Sequence, residues 1–399
     1  MKEELYEETI SWLYTQFPSY QNQGTSAYKP SLDNIKIILK KLELDVTQLK
    51  YIHIAGTNGK GTTASVIASI LTEASYKTGL FTSPHIKDFT ERMRVDGERI
   101  DSQSVVEFVD RVKAMEWKIA PSFFEITWAM AVDFFIKKNC DIVVVETGLG
   151  GRLDATNVIT PLLSIVTNIG LEHTEYLGNT KAKIAFEKGG IIKENVPVII
   201  GESDSETLPV FEKITQHKKA ELIPLESKQE DYFSTNLRVA KKALEVLEKQ
   251  GFKVSAQNIV DGIEYLGQNT GWKARFQIIA TSPKVIVDIA HNLEGIKALL
   301  QRMEKLDFKN LHILYGTSSD KDYLAIIKSL PFSASIYLTC FKNARSWKLS
   351  DMTKIKQDFT NIHATYKNAQ DAYRNILSSA NEGDVILICG SFFLIEEFF

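Results

Sequence analysis

The chain has 399 residues, 44% of them hydrophobic and 24% charged, with a formal net charge of -3. That length exceeds one ordinary hydrophobic core, so two domains are the starting expectation. The slight negative charge excludes a broad basic face for nucleic acid, and an anionic ligand must be met by local positive groups. Cys140, Cys340 and Cys389 are far apart and set in apolar runs, which reads as buried thiols with neither disulfides nor zinc. The N-terminus MKEELYEETISWLYTQF is acidic and amphipathic, with no secretory signal pattern. No apolar stretch approaches the ~20 residues of a membrane span, so the expected location is the cytoplasm.

In chain order, the first buried strand is YIHIA (51–55), followed by a glycine-rich loop and the helical spacing of TTASVIASILTEA. Further strands are TGLFT (78–82), DIVVVET (141–147), LLSIVT (162–167) and VPVII (196–200), with helical segments such as FFEITWAMAVDFFIKK (123–138) between them. Continuous Val/Ile runs predict strands covered on both faces, hence a parallel sheet with helices outside. The stretch LGQNTGWKARFQIIATSP (266–283) breaks the pattern and reads as a linker region. Alternation then restarts with KVIVDIA (284–290), LHILYG (311–316), SIYLTC (335–340) and DVILICG (384–390). The expected architecture is α/β: an N-terminal P-loop domain (1–270) with a mostly parallel sheet, a linker (271–283), and a smaller Rossmann-like domain (284–399). The second domain lacks G-x-G-x-x-G, so no dinucleotide is expected there.

The loop GTNGKGTT departs from the usual G-x-x-x-x-G-K-S/T, because Gly61 separates Lys60 from Thr62. A strand still enters it and a helix leaves it, the setting a phosphate site needs. Gly56, Gly59 and Gly61 let the backbone turn tightly, with Thr57 and Asn58 between them, and the helix N-terminus faces an anion. Lys60 can neutralise terminal phosphates, and Thr62 or Thr63 can reach Mg²⁺. A plain strand-to-helix turn with a solvated lysine is the competing interpretation. In VVVETGLGGRLDATN, Glu146 ends a buried strand where α/β proteins place ligands, and it reads as a Mg²⁺ carboxylate.

The wording GTNGKGT resembles the ATP loop of the Mur ligase superfamily, in its folylpolyglutamate synthase/dihydrofolate synthase branch. FTSPHIKDFTERMRVDG, GLGGRLDATN, FEKGGIIK, WKARFQII and KVIVDIAHN resemble further motifs of that family, in family order. The resemblance implies an ATP-dependent carboxylate–amine ligase that adds L-glutamate to dihydropteroate or a folate through an acyl phosphate. It implies two Mg²⁺ ions held by Thr62, Ser83, Glu146, His173 and Lys188, the lysine being N6-carboxylated. It places Lys29, Pro30, Ser31, Ser122, Phe123, Phe124, Glu125, Leu153, Asp154 and Ala155 at the pterin. Asn236, Arg275 and Asp288 are implied at ATP, and His291 on the glutamate side. The partners implied are small molecules, without nucleic acid or membrane, around a monomer.

The chain departs from the family wording at Ala274, Gln277, Ile289 and Leu293, where a glycine, an acid, a glycine and a proline are usual. Simpler roles compete for single residues: Asp154 as a turn cap, Phe124 as core, Lys188 as a helix-surface lysine. Three other activities compete for the whole. A Mur-type peptidoglycan ligase normally has an extra N-terminal domain, and only about 50 residues precede this loop. A P-loop kinase or GTPase would want G-K-S/T directly. A non-catalytic ATP-binding module would lack the metal set.

Overall fold

The computed structural model describes residues 2–17, 31–226, 228 and 230–399. The chain forms two compact units, Met1–Trp272 and Lys273–Phe399. The first is built on β1 (Tyr51–Ala55), β2 (Thr78–Phe81), β3 (Met93–Val95), β4 (Glu98–Arg99), β5 (Ile142–Glu146), β6 (Leu163–Val166), β7 (Val198–Ile200) and β8 (Leu222–Pro224). Their order is β4-β3-β2-β5-β1-β6-β7-β8. The six strands from β2 to β8 in that order run parallel, β3 is antiparallel to β2, and β4 turns back antiparallel to β3.

Every residue of β1 and β5 is buried, the signature of strands covered on both faces. On one face Tyr51, Val143 and Val145 pack with Phe108 and Trp128 from the helices Ser102–Lys113 and Phe123–Lys137. On the other, Ile52, Ile54 and Val144 pack with Ile67 and Ile70 of the helix Lys60–Glu73 and with Ala240 and Leu244 of Tyr232–Glu248. Register pairs Ile54 with Glu146, Ala55 with Val166 and Phe81 with Val145. The C-terminal ends of β2, β5, β1 and β6 are therefore level, and the loops leaving them emerge side by side.

The second unit contains β9 (Gln277–Thr281), β10 (Lys284–Val287), β11 (Leu311–Tyr315), β12 (Ser335–Thr339), β13 (Ile362–Tyr366) and β14 (Val385–Cys389), in the order β13-β12-β11-β14-β10-β9. All are parallel except β9, which is antiparallel to β10. β9 falls inside the stretch that the sequence reading assigns to a linker. It is an edge strand with mostly exposed or half-exposed residues, so it lacks the buried signature that betrays a central strand.

The helix Ala256–Glu264 lies so close to the loop helix that a Cβ on Gly262 would stand 2.6 Å from Ile70 Cα. The Ser69 hydroxyl donates to the Gly262 carbonyl at 2.6 Å across the same contact. Gly262→Ala should therefore cost about 1–3 kcal/mol by overpacking. The readout is a lower denaturant midpoint at unchanged slope, and a wild-type midpoint would mean that the contact opens freely.

Candidate active site

The loop after β1 is held by the segment after β6. Thr57 N–H donates to Asn168 O at 3.0 Å, and Asn58 N–H donates to Asn168 Oδ1 at 2.9 Å. Gly170 N–H donates to Thr57 Oγ1 at 2.9 Å, and Thr167 Oγ1–H donates to Asn58 O at 2.7 Å. The backbone amides of Thr57 and Asn58, expected to cradle phosphate, are thus committed to the protein. The donors left for an anion are those of the helix start. Gly59 is its N-cap at φ 83° with no side-chain cap, and the first-turn amides of a helix have no intrahelical partner. Asn236, expected near adenine, backs the loop. Its Oδ1 accepts from Thr63 at 3.3 Å and would stand 2.2 Å from a Cβ on Gly59.

Lys60 Nζ folds back onto the carbonyls of Gly56 and Thr57, at 3.1 Å each. Lys188, on the helix Lys181–Gly189, reaches the same Gly56 carbonyl at 2.7 Å. It is buried, not a surface lysine. Burial, then the nearby Lys60 charge, pull its pKa down to about 7, against the opposing pull of Glu172 and Asp154. A large share of this amine is therefore neutral at neutral pH, the form that reacts with CO₂.

Glu146 is buried at the end of β5 and accepts from Ser83 N–H at 3.1 Å. His173 starts the short helix Thr174–Leu177 at φ 51°, with Nε2 3.8 Å from Glu172. Thr62 is buried, with the Trp272 indole N–H 3.5 Å from its hydroxyl. Among the described residues no three His, Cys, Asp or Glu side chains form a metal cluster. The donors present nevertheless fit Mg²⁺, which is commonly held by one or two carboxylates plus hydroxyls and substrate phosphates. As an amine donating to Gly56, Lys188 does not fit. As a carbamate, with two hard oxygens, it would.

The residues assigned to the pterin fall into two groups. Lys29 and Pro30 lie outside the described residues. Ser31 accepts from Asp33 N–H at 3.0 Å and so opens the helix Asp33–Lys41. Ser122 and Glu125 bond each other in a capping box at the start of Phe123–Lys137. Phe123 is core, stacked on Tyr14 at a centroid distance of 4.6 Å. Phe124 is half-buried, and its ring would stand 2.7 Å from a Cβ on Gly148. Leu153 is half-buried and Ala155 buried.

Asp154, expected to accept from the pterin, is met by four protein donors. One oxygen accepts from Thr156 N–H and Oγ1–H at 3.0 and 2.5 Å. The other accepts from Gly148 and Leu149 N–H at 2.8 and 2.9 Å. With its acceptor sites on protein donors, Asp154 shapes the loop from beneath.

In the second unit, half-buried Arg275 stands between Ala274 (φ 56°) and Phe276 (φ 52°), both left-handed. Such residues cost about 1–2 kcal/mol each. The turn is held because Ala274 N–H donates to Gln277 Oε1, and Phe276 and Ala290 N–H donate to the two oxygens of Asp288, each at 2.7 Å. Asp288, expected at the nucleotide, is buried, with one oxygen on the Arg275 turn and the other on the turn leaving β10. His291 is half-buried, with Nδ1 3.0 Å from Ile289 O. Sequence reasoning missed Thr167, Asn168, Gly170 and Trp272; the polar TNIG run after a buried strand was the available signal.

Two family descriptions match the chain: "Mur ligase middle domain" over residues 54–270 and "Mur ligase, glutamate ligase domain" over 274–392. The dihydrofolate synthase/folylpolyglutamate synthase of Buchnera aphidicola from Acyrthosiphon pisum is 32% identical, the match covering 92% of this chain and 93% of the relative. Escherichia coli FolC, solved with DHPP and ADP, superposes with a TM-score of 0.83 at 27% identity, covering 98% of this chain and 96% of that one. The bifunctional Yersinia pestis enzyme, solved with AMPPNP and Mn, gives 0.84 at 25% identity, covering 98% and 97%.

A Cβ on Gly56 would stand 1.8 Å from Thr167 Oγ1. Gly56→Ala must therefore displace the β1 exit or the β6 exit. It should weaken ADP binding about tenfold or more, at an overpacking cost of about 1–3 kcal/mol. Titration calorimetry checks this, and wild-type affinity would show that the close approach is dispensable.

Proposed function

Because the chain belongs to the Mur ligase family, in its dihydrofolate synthase/folylpolyglutamate synthase branch, we propose that it joins L-glutamate to dihydropteroate, to a folate, or to both, at the expense of ATP. The observation that carries this reading is the gathering of an anion-ready helix start, Glu146 and the buried Lys188 around the level strand ends of one sheet. A kinase reading accounts for the helix start but gives no role to a buried lysine poised near neutrality, nor to the glutamate ligase domain. The likeness to dihydrofolate synthases/folylpolyglutamate synthases along nearly the whole chain favours the folate branch over peptidoglycan ligases.

In this scheme the Gly59–Thr62 amides and Lys60 receive the ATP phosphates. Lys60 exchanges its loop carbonyls for phosphate oxygens, where its charge offsets the charge that builds up in phosphoryl transfer. The acceptor carboxylate attacks the γ-phosphorus, ADP leaves, and the acid becomes an acyl phosphate. The amine of glutamate adds to that carbonyl, and the tetrahedral species expels phosphate to leave the amide. Thr62, Ser83, Glu146, His173 and carbamylated Lys188 would hold Mg²⁺, which supplies charge neutralisation and alignment of phosphate and carboxylate oxygens. The loop 148–155 with Phe124 would receive the pterin. The proposed setting is the cytoplasm, with small molecules as partners.

The test is ADP release from ATP, dihydropteroate and glutamate, which should require both other substrates. Lys60→Ala should abolish it, a loss of about 100-fold or more for a phosphate-charge residue. Dependence on a UDP-muramyl acceptor instead would move the chain to the peptidoglycan ligases.

Lys188→Ala should lower turnover and regain part of it with added short carboxylic acids, which supply the missing oxygens. Bicarbonate should reactivate CO₂-stripped wild type better at pH 8 than at pH 6. The amine pulled to about 7 is mostly neutral above that value and mostly protonated below it. Equal reactivation at both pH values would remove the carbamate from the scheme.

A further inference from the structure

β1 is apolar except for His53, which is fully buried in the layer under the helix Phe123–Lys137. Its Nε2 lies 2.8 Å from Thr156 Oγ1. Its Nδ1 has no hydrogen-bond partner among the described residues. The proton positions along this line follow from the partners. Burial raises the Asp154 pKa, and four protein donors oppose it: Thr156 N–H, Thr156 Oγ1–H, Gly148 N–H and Leu149 N–H, to all of which Asp154 presents acceptor oxygens. The Thr156 hydroxyl has spent its one hydrogen on Asp154. It can only accept from His53, which must carry its proton on Nε2. The imidazole is neutral, since burial holds its pKa down at about 3.

We infer that His53 is a positioning residue for the acceptor loop, acting through Thr156 and Asp154 on the amides of Gly148 and Leu149. The inference rests on the reading of loop 148–155 as the acceptor site. Donation converges on Asp154: His53 Nε2–H donates to Thr156 Oγ1, Thr156 Oγ1–H to one Asp154 oxygen, and two successive loop amides to the other. A polar group with an empty nitrogen in a dry layer carries a desolvation cost that an aliphatic side chain would not. What the imidazole supplies is a single donor at a fixed point of β1. That same strand delivers the phosphate loop three residues later, at Gly56. The line therefore sets the height of Gly148, and with it the seat of the Phe124 ring, relative to the strand that carries the nucleotide.

The experiment uses the full chain and three variants. His53→Leu keeps bulk and removes the N–H. Thr156→Val keeps shape and removes the hydroxyl. His53→Gln places an amide N–H where Nε2–H was. Amide hydrogen exchange on ligand-free protein should be about tenfold or more faster at Gly148 and Leu149 in His53→Leu and Thr156→Val, as expected when a buried hydrogen bond is lost. In steady state, KM for dihydropteroate should rise about tenfold in both while KM for ATP stays within about twofold. His53→Gln should recover most of both effects, and His53→Leu/Thr156→Val together should cost little more than either alone. Unchanged exchange at 148–149, parallel rises in both KM values, or additive losses would each overturn the relay. Should one variant fail to fold, the near-isosteric Thr156→Val or the donor-retaining His53→Gln still decides it by exchange. If wild type forms no ADP with dihydropteroate and glutamate, the acceptor reading fails, while the exchange rates still judge the line from His53 to the loop.

Discussion

The structure depends on a pairing between two loops that are more than 100 residues apart in sequence: the phosphate loop after β1 and the segment after β6. Two amides of the phosphate loop bond Asn168, and Thr57 and Asn58 bond Gly170 and Thr167. A glycine-rich loop alone would be a floppy anion receptor, because glycine has the most backbone freedom to lose. Here that entropy is lost on folding, before any ligand arrives. The remaining anion donors are the amides of the helix start, which point in a fixed direction. Gly56 is required at the hinge of the pairing, where Thr167 leaves no room for a Cβ.

The pairing also explains why two lysines converge on one carbonyl. Gly56 O faces the interior of the loop pair and attracts both Lys60 and Lys188. Burial first, and then the neighbouring Lys60 charge, pull Lys188 towards neutrality. A single carbonyl thus draws in two lysines, and the buried one is pulled towards its neutral form.

The strand runs, the loop and the buried carboxylate at the end of β5 were legible in the sequence, because each is a local pattern of burial or glycine placement. The roles of Asp154, Ser122 and Glu125 were less so. A short polar side chain that caps a helix or turn looks the same in sequence as one that meets a ligand, since both need an oxygen beside exposed amides. Phe123 and Phe124 are adjacent, yet about 100° apart on a helix, so one joins the core and the other faces the Gly148 loop. The polar TNIG run marks Asn168 as lying on a loop after a buried strand, but nothing within that segment specifies the β1 exit as its partner. In the second unit the departure at Ala274 was visible, but not its cost. Only the backbone shows that Arg275 is flanked by two left-handed residues clamped by Asp288 and Gln277.

The loop 148–155 and the Lys188 helix are bound as closely as the loops after β1 and β6. Arg152 N–H donates to Glu187 O at 2.7 Å, and the Asn157 amide donates to Gly190 O at 3.0 Å. A Cβ on Gly151 would stand 2.7 Å from Lys188 O, and one on Gly190 would stand 2.4 Å from Arg152 Cα. Glycine on both sides lets backbone meet backbone with no side chain between to absorb a shift. Since interiors at this density do not deform smoothly, the loop and the helix end must move together or not at all. Lys188 in turn bonds Gly56, which is tied to β6. The phosphate loop, Lys188 and the loop 148–155 are therefore parts of one rigid arrangement. This is what an in-line transfer between two bound anions needs, because misplacement by about 1 Å costs on the order of 100-fold in rate.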